Sequence, residues 1–385
     1  MPKFIQNSSG HRIAWFVSPH GFGHAARSAA IMAALLEIDD SIGFEIFTKV
    51  PSWFFQKPLS GYFDYHSLLT DIGLVQKDPL HEDLTETIQS LDSFLPFDPS
   101  RIADLCRFVN QLKCSLIVCD IAPVGIAAAR HAGIPSILIE NFTWDWIYEW
   151  YGLQMEPYMN YLQAIFRSAD YHIQTEPVCC PCEADLTTLP VSRKSRVSGW
   201  KIREKLKIPT NKKMIMITMG GVLSDSQSFF RKHFLKKLAY QDNMYFVIPG
   251  VGQCPETIRN TVLLPHNSDF FHPDLINACD AVVGKAGYST IAEVYHAGVP
   301  FGYISRPFFR ESGVLTSFIE KQMSGLPIEE ADFQDGKWVS HLEKLLSLPR
   351  LQRNEPNGSE QAAQFIYNLV SCPLQRAGKQ LTTDN

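Results

Sequence analysis

Short apolar runs along the chain alternate with longer stretches in which apolar residues recur every three or four positions. The first apolar run, residues 12–18, leads into a glycine-rich turn at 19–23 and an alanine-rich stretch at 24–36. The same order of strand, helix and strand recurs at residues 115–119, 124–132 and 136–139. Strands that alternate with helices in this way predict a parallel β-sheet covered on both faces, an α/β fold.

A second series of alternating elements begins after residue 212. The first series ends with a strand predicted at residues 171–175. In the second series, strands are predicted at 214–218, 244–248, 261–264, 281–283 and 300–304, and helices at 227–239, 274–278, 290–297, 313–323, 337–346 and 360–369. Between the two series the chain is polar and irregular, which marks a boundary. The predicted organisation is a first domain at 1–190, a linker at 191–212, a second domain at 213–350 and a helix with a polar tail at 351–385.

Composition narrows the classes of protein that this chain can be. The chain has 385 residues, which favours two domains, and 45% of them are hydrophobic, which is enough for a substantial core. Its formal net charge is −5 without a long basic run, so nucleic acid is not an expected partner. No stretch of about 18 apolar residues occurs, which predicts no transmembrane helix.

The N-terminus and the cysteines predict a cytoplasmic protein. The first apolar run is too short for a secretory signal, and nine cysteines are too few for a disulfide framework in a chain of this length. The cluster Cys179, Cys180 and Cys182 has no second cysteine or histidine pair at a zinc-binding spacing, so we expect no metal. The basic residues at 193–207 fit either a solvated linker or a peripheral contact with a membrane surface.

The strongest candidate for a ligand site is the sequence 280–293, which runs from an apolar strand through small residues into a helix. Gly287 allows a ligand to approach the backbone closely, and the start of the helix offers unpaired N–H groups and a positive dipole end. Lys285 adds a full charge beside this turn, while Ser289 and Thr290 add hydroxyl donors. The segment therefore predicts an anion-binding site.

Glu293 has two interpretations. It lies about one turn into the helix, where its carboxylate could accept two hydrogen bonds from a ribose diol. The spacing Thr290-x-x-Glu293 also fits a capping box, in which the carboxylate only binds backbone N–H groups. The glycine turn before the helix favours a nucleotide, but the spacing alone leaves both roles open.

In the first half, the turn after the first strand carries candidate chemistry. The sequence 21–26 fits the degenerate glycine pattern of dinucleotide sites, but the second strand ends in Thr48 and Lys49 instead of the acidic residue that such sites use. A dehydrogenase is therefore not expected. His24 lies where ligands of open sheets bind and could take a proton from a hydroxyl, with Asp120 to orient it. Both residues are also typical of helix starts and turns.

Residues 141–151 contain three of the seven tryptophans and would show aromatic side chains on every face of a helix. Such a segment either fills the space between two domains or lines a pocket for sugar rings or apolar groups. Asn141 and Trp144 are its candidates for contact with a ligand. Glu140, just before it, is a second candidate for a general base.

Taken together, three motifs resemble those of GT-B glycosyltransferases, in the branch related to the transferase that adds N-acetylglucosamine to the peptidoglycan lipid precursor. The motifs are residues 19–24 after a strand, Gly220-Gly221, and residues 284–293 followed by 297–300. The resemblance implies two Rossmann-like domains whose parallel sheets face a central cleft. It also implies that a sugar nucleotide is held mostly by the second domain, an acceptor mostly by the first, and that a final helix packs back on the first domain.

The residues and the resemblance together give the candidate site residues. By motif position the resemblance places His24 near the acceptor, and the strand that ends in Asp120 makes this residue its partner in the expected catalytic pair. Contacts to the sugar donor would come from Gly220, Gly221, Lys285, Gly287, Ser289, Thr290 and Glu293, with Arg310 and Glu311 as further candidates for the donor sugar or phosphate. Contacts to the acceptor would come from His20, Gly21, Gly23, Glu140, Asn141 and Trp144.

A second resemblance, in residues 119–123, 132–136 and 141–148, is to the glycosyltransferase-like half of plant-type arabinokinases, where a kinase domain is attached. The sequence departs from the peptidoglycan enzyme at Ala286, where serine is usual, and at residues 308–311, which replace an Asp-Arg-Gln-Gln stretch. Both departures concern the part of the chain expected to select the sugar donor.

The function expected from the resemblance is transfer of a hexosyl group from a nucleoside-diphosphate sugar to an acceptor hydroxyl. The donor is expected to be a UDP-sugar, and the reaction to be inverting and independent of a metal or other cofactor. The alternatives are a protein that binds or senses sugar nucleotides without catalysis, and a sugar-nucleotide epimerase. The sequence leaves the acceptor and the oligomeric state open.

Overall fold

The computed structural model describes residues 11–220 and 232–371, which form two α/β lobes. The strands of the first lobe are β1 Arg12–Val17, β2 Gly43–Thr48, β3 Phe63–Ser67, β4 Leu116–Asp120, β5 Ser136–Glu140, β6 Tyr171–Thr175 and β7 Leu186–Thr188. They pair in parallel in the order β3-β2-β1-β4-β5-β6-β7. Because the strands are parallel, their carboxyl ends share one edge of the sheet.

Helices cover both faces of this sheet. They are α1 Phe22–Ile38, α2 Trp53–Leu59, α3 Leu84–Phe94, α4 Pro99–Gln111, α5 Pro123–Ala132, α6 Trp144–Glu149 and α7 Glu156–Phe166. Successive residues of β1 point to opposite faces. Trp15 therefore joins the apolar cluster that contains α1, whereas Phe16 joins the cluster that contains α5. The first lobe thus has two cores, one on each side of the sheet.

The second lobe repeats this plan after α8 Gly199–Lys205. Its strands are β8 Lys213–Thr218, β9 Met244–Pro249, β10 Glu256–Ile258, β11 Thr261–Leu264, β12 Ala281–Lys285, β13 Phe301–Ile304 and β14 Gly325–Pro327. Its helices are α9 Lys232–Leu238, α10 His272–Ala278, α11 Tyr288–Ala297, α12 Ser312–Gln322, α13 Glu330–Gln334 and α14 Leu342–Leu346. The strand order is β10-β11-β9-β8-β12-β13-β14, parallel except for β10 at the edge.

The last helix, α15 Gly358–Ser371, returns from the second lobe to the first. Its buried residues Ala362, Ala363 and Ile366 belong to the same apolar cluster as α1. At Gly358 the chain passes so close to the first lobe that a Cβ atom would lie 1.9 Å from the Leu189 carbonyl oxygen. The helix that follows the second lobe is therefore part of the core of the first.

The predicted fold class, two lobes with parallel sheets in an α/β arrangement, is confirmed. One predicted helix differs in detail, and another lies only partly within the described residues. The stretch 337–346 divides into a 3-10 helix, Lys337–His341, and α14, and only the α9 part of the helix predicted at 227–239 lies within the described residues. In the described part of the chain, no helix combines the length and apolar character needed to cross a membrane. The cytoplasmic location stays a prediction.

Candidate active site

The carboxyl ends of the central strands of both sheets face one cleft, where ligands of open parallel sheets bind. A central cavity of about 100 Å³ lies between the turn after β1 and the start of α11. A second-lobe chamber of about 380 Å³ shares Ser289 and Thr290 with this cavity. A first-lobe chamber of about 480 Å³ shares His20 and Gly21 with it. The cleft therefore offers one small polar centre with a larger chamber on either side.

His24, in the first turn of α1, lines the central cavity and is held by a buried carboxylate. Its Nδ1 lies 3.0 Å from Oδ1 of Asp120, the last residue of β4. A contact of this length to a carboxylate requires a proton on Nδ1, which leaves Nε2 as the basic nitrogen. The structure brings the predicted pair together, in a contact that favours the histidine tautomer that a general base needs.

Arg27, one turn further along α1, is a buried partner that the sequence reasoning missed. Its Nη2 and Nε donate to the two carboxylate oxygens of Asp120 at 2.6 and 2.9 Å. Although burial alone would raise the pKa of the Asp120 carboxyl, the Arg27 charge and hydrogen bonds hold this pKa below its ordinary value. Because Arg27 offsets the charge of Asp120, the carboxylate acts on His24 mainly by orienting it. A lone arginine on the buried face of an alanine-rich helix is a sequence signal for such a carboxylate.

Two helices begin at the central cavity, one from each lobe. Gly21 caps α1 with φ 73° and ψ −174°, a conformation that favours glycine, and Gly287 caps α11. A Cβ atom at Gly23 would lie 3.8 Å from Ser289 Oγ, so the two helix starts face each other. Their first N–H groups have no acceptor within the helix and carry the positive dipole ends. Together they form a binding place for an anion.

Lys285 and Arg306 bring two cationic side chains to the same cavity. A Cβ atom at Gly220 would lie 3.3 Å from Cε of Lys285, so the lysine passes closely over this glycine. Burial and the neighbouring Arg306 charge lower the pKa of Lys285 to about 7. Arg306 is only 5% exposed, and its Nε has no hydrogen-bond partner among the described residues. Both side chains would be stabilised by a bound anion.

Glu311 and Asn141 connect the two lobes across the cavity. Asn141 Nδ2 donates to Glu311 Oε1 at 2.7 Å, and Asn141 Oδ1 accepts from Arg27 Nη1 at 2.7 Å. Burial raises the pKa of the Glu311 carboxyl, which lies among otherwise cationic side chains. Both predicted residues line the central cavity, Asn141 from the first lobe and Glu311 from the second.

Glu293 is expected to bind a ribose, but both of its carboxylate oxygens are paired with side chains of the protein. Arg193 Nε donates to its Oε1 at 2.8 Å, and His272 Nδ1 lies 2.7 Å from its Oε2. Although burial would raise the pKa of Glu293, the Arg193 charge and His272 hold this pKa low. The capping-box interpretation is wrong, because α11 begins at Tyr288 and Thr290 lies inside its first turn. Arg193 and His272, rather than Glu293, line the second-lobe chamber.

The segment after β13 turns so that Arg306 and Phe309, but not Arg310, line the central cavity. The Phe309 amide donates to the Arg306 carbonyl at 3.0 Å and closes this turn. Arg310 stacks over Trp146 at 4.1 Å and pairs with Glu149 at 2.6 Å. The structure therefore brings Arg306, which the sequence reasoning did not single out, to the position expected for Arg310.

Two further predicted residues, Glu140 and Trp144, lie in the described part of the chain but do not line the central cavity. Glu140 is buried and accepts a hydrogen bond from Gln174 at 2.8 Å. Trp144 is fully buried and packs edge-on against His20, with ring centroids 5.0 Å apart, so it supports the cavity wall from behind. Gly221 lies outside the described residues.

The first-lobe chamber combines aliphatic walls with three titratable residues, His20, Lys49 and Asp71. Its aliphatic residues are Val50, Leu69, Ile72, Leu74 and Val75. Burial, together with the neighbouring His24 and Arg306, lowers the pKa of His20 well below its ordinary value, so this ring is neutral. Asp71 accepts a hydrogen bond from Ser18 Oγ at 2.9 Å, and burial raises its pKa to about 6. The chamber can take a largely apolar group next to the polar centre.

Comparison with curated proteins finds two similar sequences. The chain is 27% identical over 377 residues to L-arabinokinase of Arabidopsis thaliana, an alignment that covers 95% of this chain and 35% of the plant protein. It is 23% identical over 268 residues to the UDP-N-acetylglucosamine--N-acetylmuramyl-(pentapeptide) pyrophosphoryl-undecaprenol N-acetylglucosamine transferase of Bacillus licheniformis, covering 64% of this chain and 69% of that protein. The chain thus spans about a third of the length of the plant relative. No family model matches the sequence.

Solved structures extend the comparison over nearly the whole chain. MurG of Acinetobacter baumannii has a TM-score of 0.52 at 15% identity, covering 93% of this chain and 99% of that one. The kitacinnamycin glycotransferase has a TM-score of 0.59 at 16% identity, covering 94% and 99%. A UDP-glucosyltransferase from Polygonum tinctorium has a TM-score of 0.56 at 14% identity, covering 96% of each chain. These likenesses show that the chain has the GT-B glycosyltransferase fold, as the resemblance predicted.

Proposed function

We propose that this protein is a glycosyltransferase that moves a hexosyl group from a nucleoside-diphosphate sugar, a UDP-sugar in our proposal, to an acceptor hydroxyl. The observation that carries the proposal is the central cavity, which brings together two helix starts, Lys285, Arg306 and His24. An anion-binding centre beside a general base is what transfer from a diphosphate requires. UDP occurs in the names of two of the similar proteins, which supports a UDP-sugar as the donor.

The chemistry assigned to the cavity is a single displacement. The acceptor oxygen forms a bond to the anomeric carbon, while the bond from that carbon to the diphosphate oxygen breaks and its electron pair leaves with the diphosphate. The acceptor proton passes to Nε2 of His24, whose Nδ1 proton is fixed by Asp120. The helix starts, Lys285 and Arg306 stabilise the charge that develops on the leaving group.

The chambers on either side suggest how the two substrates divide the cleft. The second-lobe chamber, about 380 Å³, has the size for a nucleoside next to the anion site. The first-lobe chamber, which meets the central cavity at His20 and Gly21, would hold the acceptor. Attack from this side, opposite the leaving diphosphate, inverts the anomeric centre. Since protein cations already surround the diphosphate, we propose that no metal is needed, and added EDTA should leave the rate unchanged.

A donor panel tests the proposal. Purified protein is incubated with UDP-, GDP- and dTDP-sugars and a mixed set of hydroxyl acceptors, and the released nucleoside diphosphate is measured. We expect release with at least one donor and a loss of about 10²- to 10⁴-fold in His24→Gln, the range for removal of a general base. His341→Gln, at an exposed position, is the matched control and should keep full activity.

The same panel separates the two alternatives. A binding or sensor protein would bind a nucleotide without releasing diphosphate, and His24→Gln would leave its biological activity intact. An epimerase would return a donor with an altered sugar, which chromatography of the recovered donor reveals. Silence with every donor and acceptor would contradict the transferase proposal.

A further inference from the structure

A loop of the first lobe, residues 76–82, extends from that lobe onto the second. We call this loop the arm. An antiparallel bridge between Gln76 and Glu82 closes it at its base, and the Lys77 amide donates to the His81 carbonyl at 2.9 Å. At its tip, the Asp78 carboxylate accepts the Leu80 amide at 2.8 Å. The arm therefore has a defined shape of its own.

The tip of the arm is anchored in the second lobe by an apolar side chain. Leu80 is 2% exposed and belongs to the buried cluster that contains Met219 and Phe333 of the second lobe. The other described members of that cluster belong to the second lobe. Next to Leu80, His81 Nε2 lies 3.7 Å from Glu330 at the start of α13. Apolar burial thus holds the first lobe against the second at this point.

The base of the arm carries a buried ion pair across the lobes. Glu82 pairs with Arg306, and the two side chains are 7% and 6% exposed. Arg306 also stacks on the Phe309 ring at 4.0 Å, which leaves its buried Nε without a partner at the central cavity. One carboxylate and one ring therefore fix the guanidinium at the central cavity, while its buried Nε–H stays unpaired within the described part of the chain.

We propose that the arm is a clasp between the lobes and that Glu82 is the positioning residue that holds Arg306 at the anion site. Naming the anion as the diphosphate of the sugar donor rests on the function proposed above. Since Glu82 belongs to the first lobe, its ion pair with Arg306 holds only while the arm is seated. Ligand binding at Arg306 and seating of the arm therefore stabilise each other.

A positioning role and a simple charge effect predict opposite results. If Glu82 were only a nearby negative charge, Glu82→Gln would strengthen binding of an anion. If Glu82 positions Arg306, the same change releases the guanidinium. We then expect kcat to fall at least tenfold and UDP to dissociate at least tenfold faster. Glu329→Gln removes an exposed carboxylate at the start of α13, so it is the matched control and should change neither value.

Hydrogen exchange of the full chain tests the clasp without relying on activity. In the ligand-free protein, exchange of residues 76–82 should accelerate at least tenfold in Glu82→Gln and not in Glu329→Gln. Saturating UDP should slow exchange of the arm in the wild type and not in Glu82→Gln. The paired swap Glu82→Arg with Arg306→Glu should restore ligand-free protection but not UDP binding, because it reverses the charge at the anion site.

The outcomes separate this inference from the proposed function. If UDP does not bind to the wild type, the proposed function fails and the ligand-free exchange alone decides the clasp. If UDP binds but the arm exchanges at the same rate in the wild type and Glu82→Gln, with and without UDP, the clasp is wrong while the transferase proposal stands. Tighter UDP binding in Glu82→Gln would also overturn the positioning role.

Discussion

Asp120 accepts hydrogen bonds from three side chains on one buried carboxylate. Arg27 donates to both carboxylate oxygens. The Ser28 hydroxyl donates to Oδ2 at 3.0 Å, and His24 Nδ1 lies 3.0 Å from Oδ1. Such a carboxylate stabilises the fold as well as the site, because it compensates an arginine that is 1% exposed. The residue that orients the proposed base is therefore also the residue that makes a buried guanidinium tolerable.

This double role predicts a large loss of stability in Asp120→Asn. The change leaves the Arg27 charge buried without its carboxylate, which costs about 3–5 kcal/mol. Urea unfolding measures the loss. Asp104→Asn, which removes one partner of an exposed ion pair in α4, should cost less than about 0.5 kcal/mol. Equal stability of the two variants would contradict the network.

Lys285 predicts a proton uptake that accompanies nucleotide binding. Its pKa is lowered to about 7 by burial and Arg306, and a bound anion favours the charged ammonium and raises this pKa again. Binding of UDP should therefore take up a proton above pH 7, and affinity should fall by up to about tenfold for each pH unit until the pKa of the complex is reached.

Titration calorimetry with UDP from pH 7 to pH 9, in two buffers of different ionisation enthalpy, measures this uptake. In Lys285→Met, the affinity for UDP should be lower at every pH in this range, and it should lose the fall with pH that Lys285 causes. If the pH dependence of the affinity is the same in that variant as in the wild type, another group takes up the proton.

Among the elements, the helix starts at the cleft were more predictable than the side chains that face them. The strand, glycine turn and helix around Gly287 follow from local sequence, since small residues and periodicity specify them. Arg306 and Arg310 are four residues apart, and only the turn closed by the Phe309 amide decides which of them lines the cavity. Leu80 is a single apolar residue in a polar loop, so nothing local predicts that it enters the core of the other lobe.

Mutations in α15 test whether this helix packs on the first lobe. Ile366 is fully buried in the cluster that α15 shares with α1. Ile366→Ala should lower the free energy of unfolding by about 2–5 kcal/mol, because it removes apolar contacts and leaves a cavity. Gln364→Ala, on the exposed face of the same helix, is the control and should change it by less than about 0.5 kcal/mol. Similar values for both variants would show that α15 does not pack as described.

For the whole molecule, the site exists only where the lobes meet. Asn141 and Glu311 bridge the cavity, the start of α1 faces the start of α11, and the arm joins the lobes beside Arg306. The two-lobed fold could be predicted from alternating strands and helices and from the resemblance. These contacts between distant parts of the chain could not, because their partners are set by the packing of the lobes.

A crystal structure with bound UDP tests the account at this junction. We predict that the diphosphate lies between the starts of α1 and α11, with its oxygens within hydrogen-bond distance of the Ser289 and Thr290 amides and of Arg306, and with the uridine in the second-lobe chamber. A nucleotide bound elsewhere, or a central cavity that stays closed by its own side chains at saturating UDP, would contradict the account.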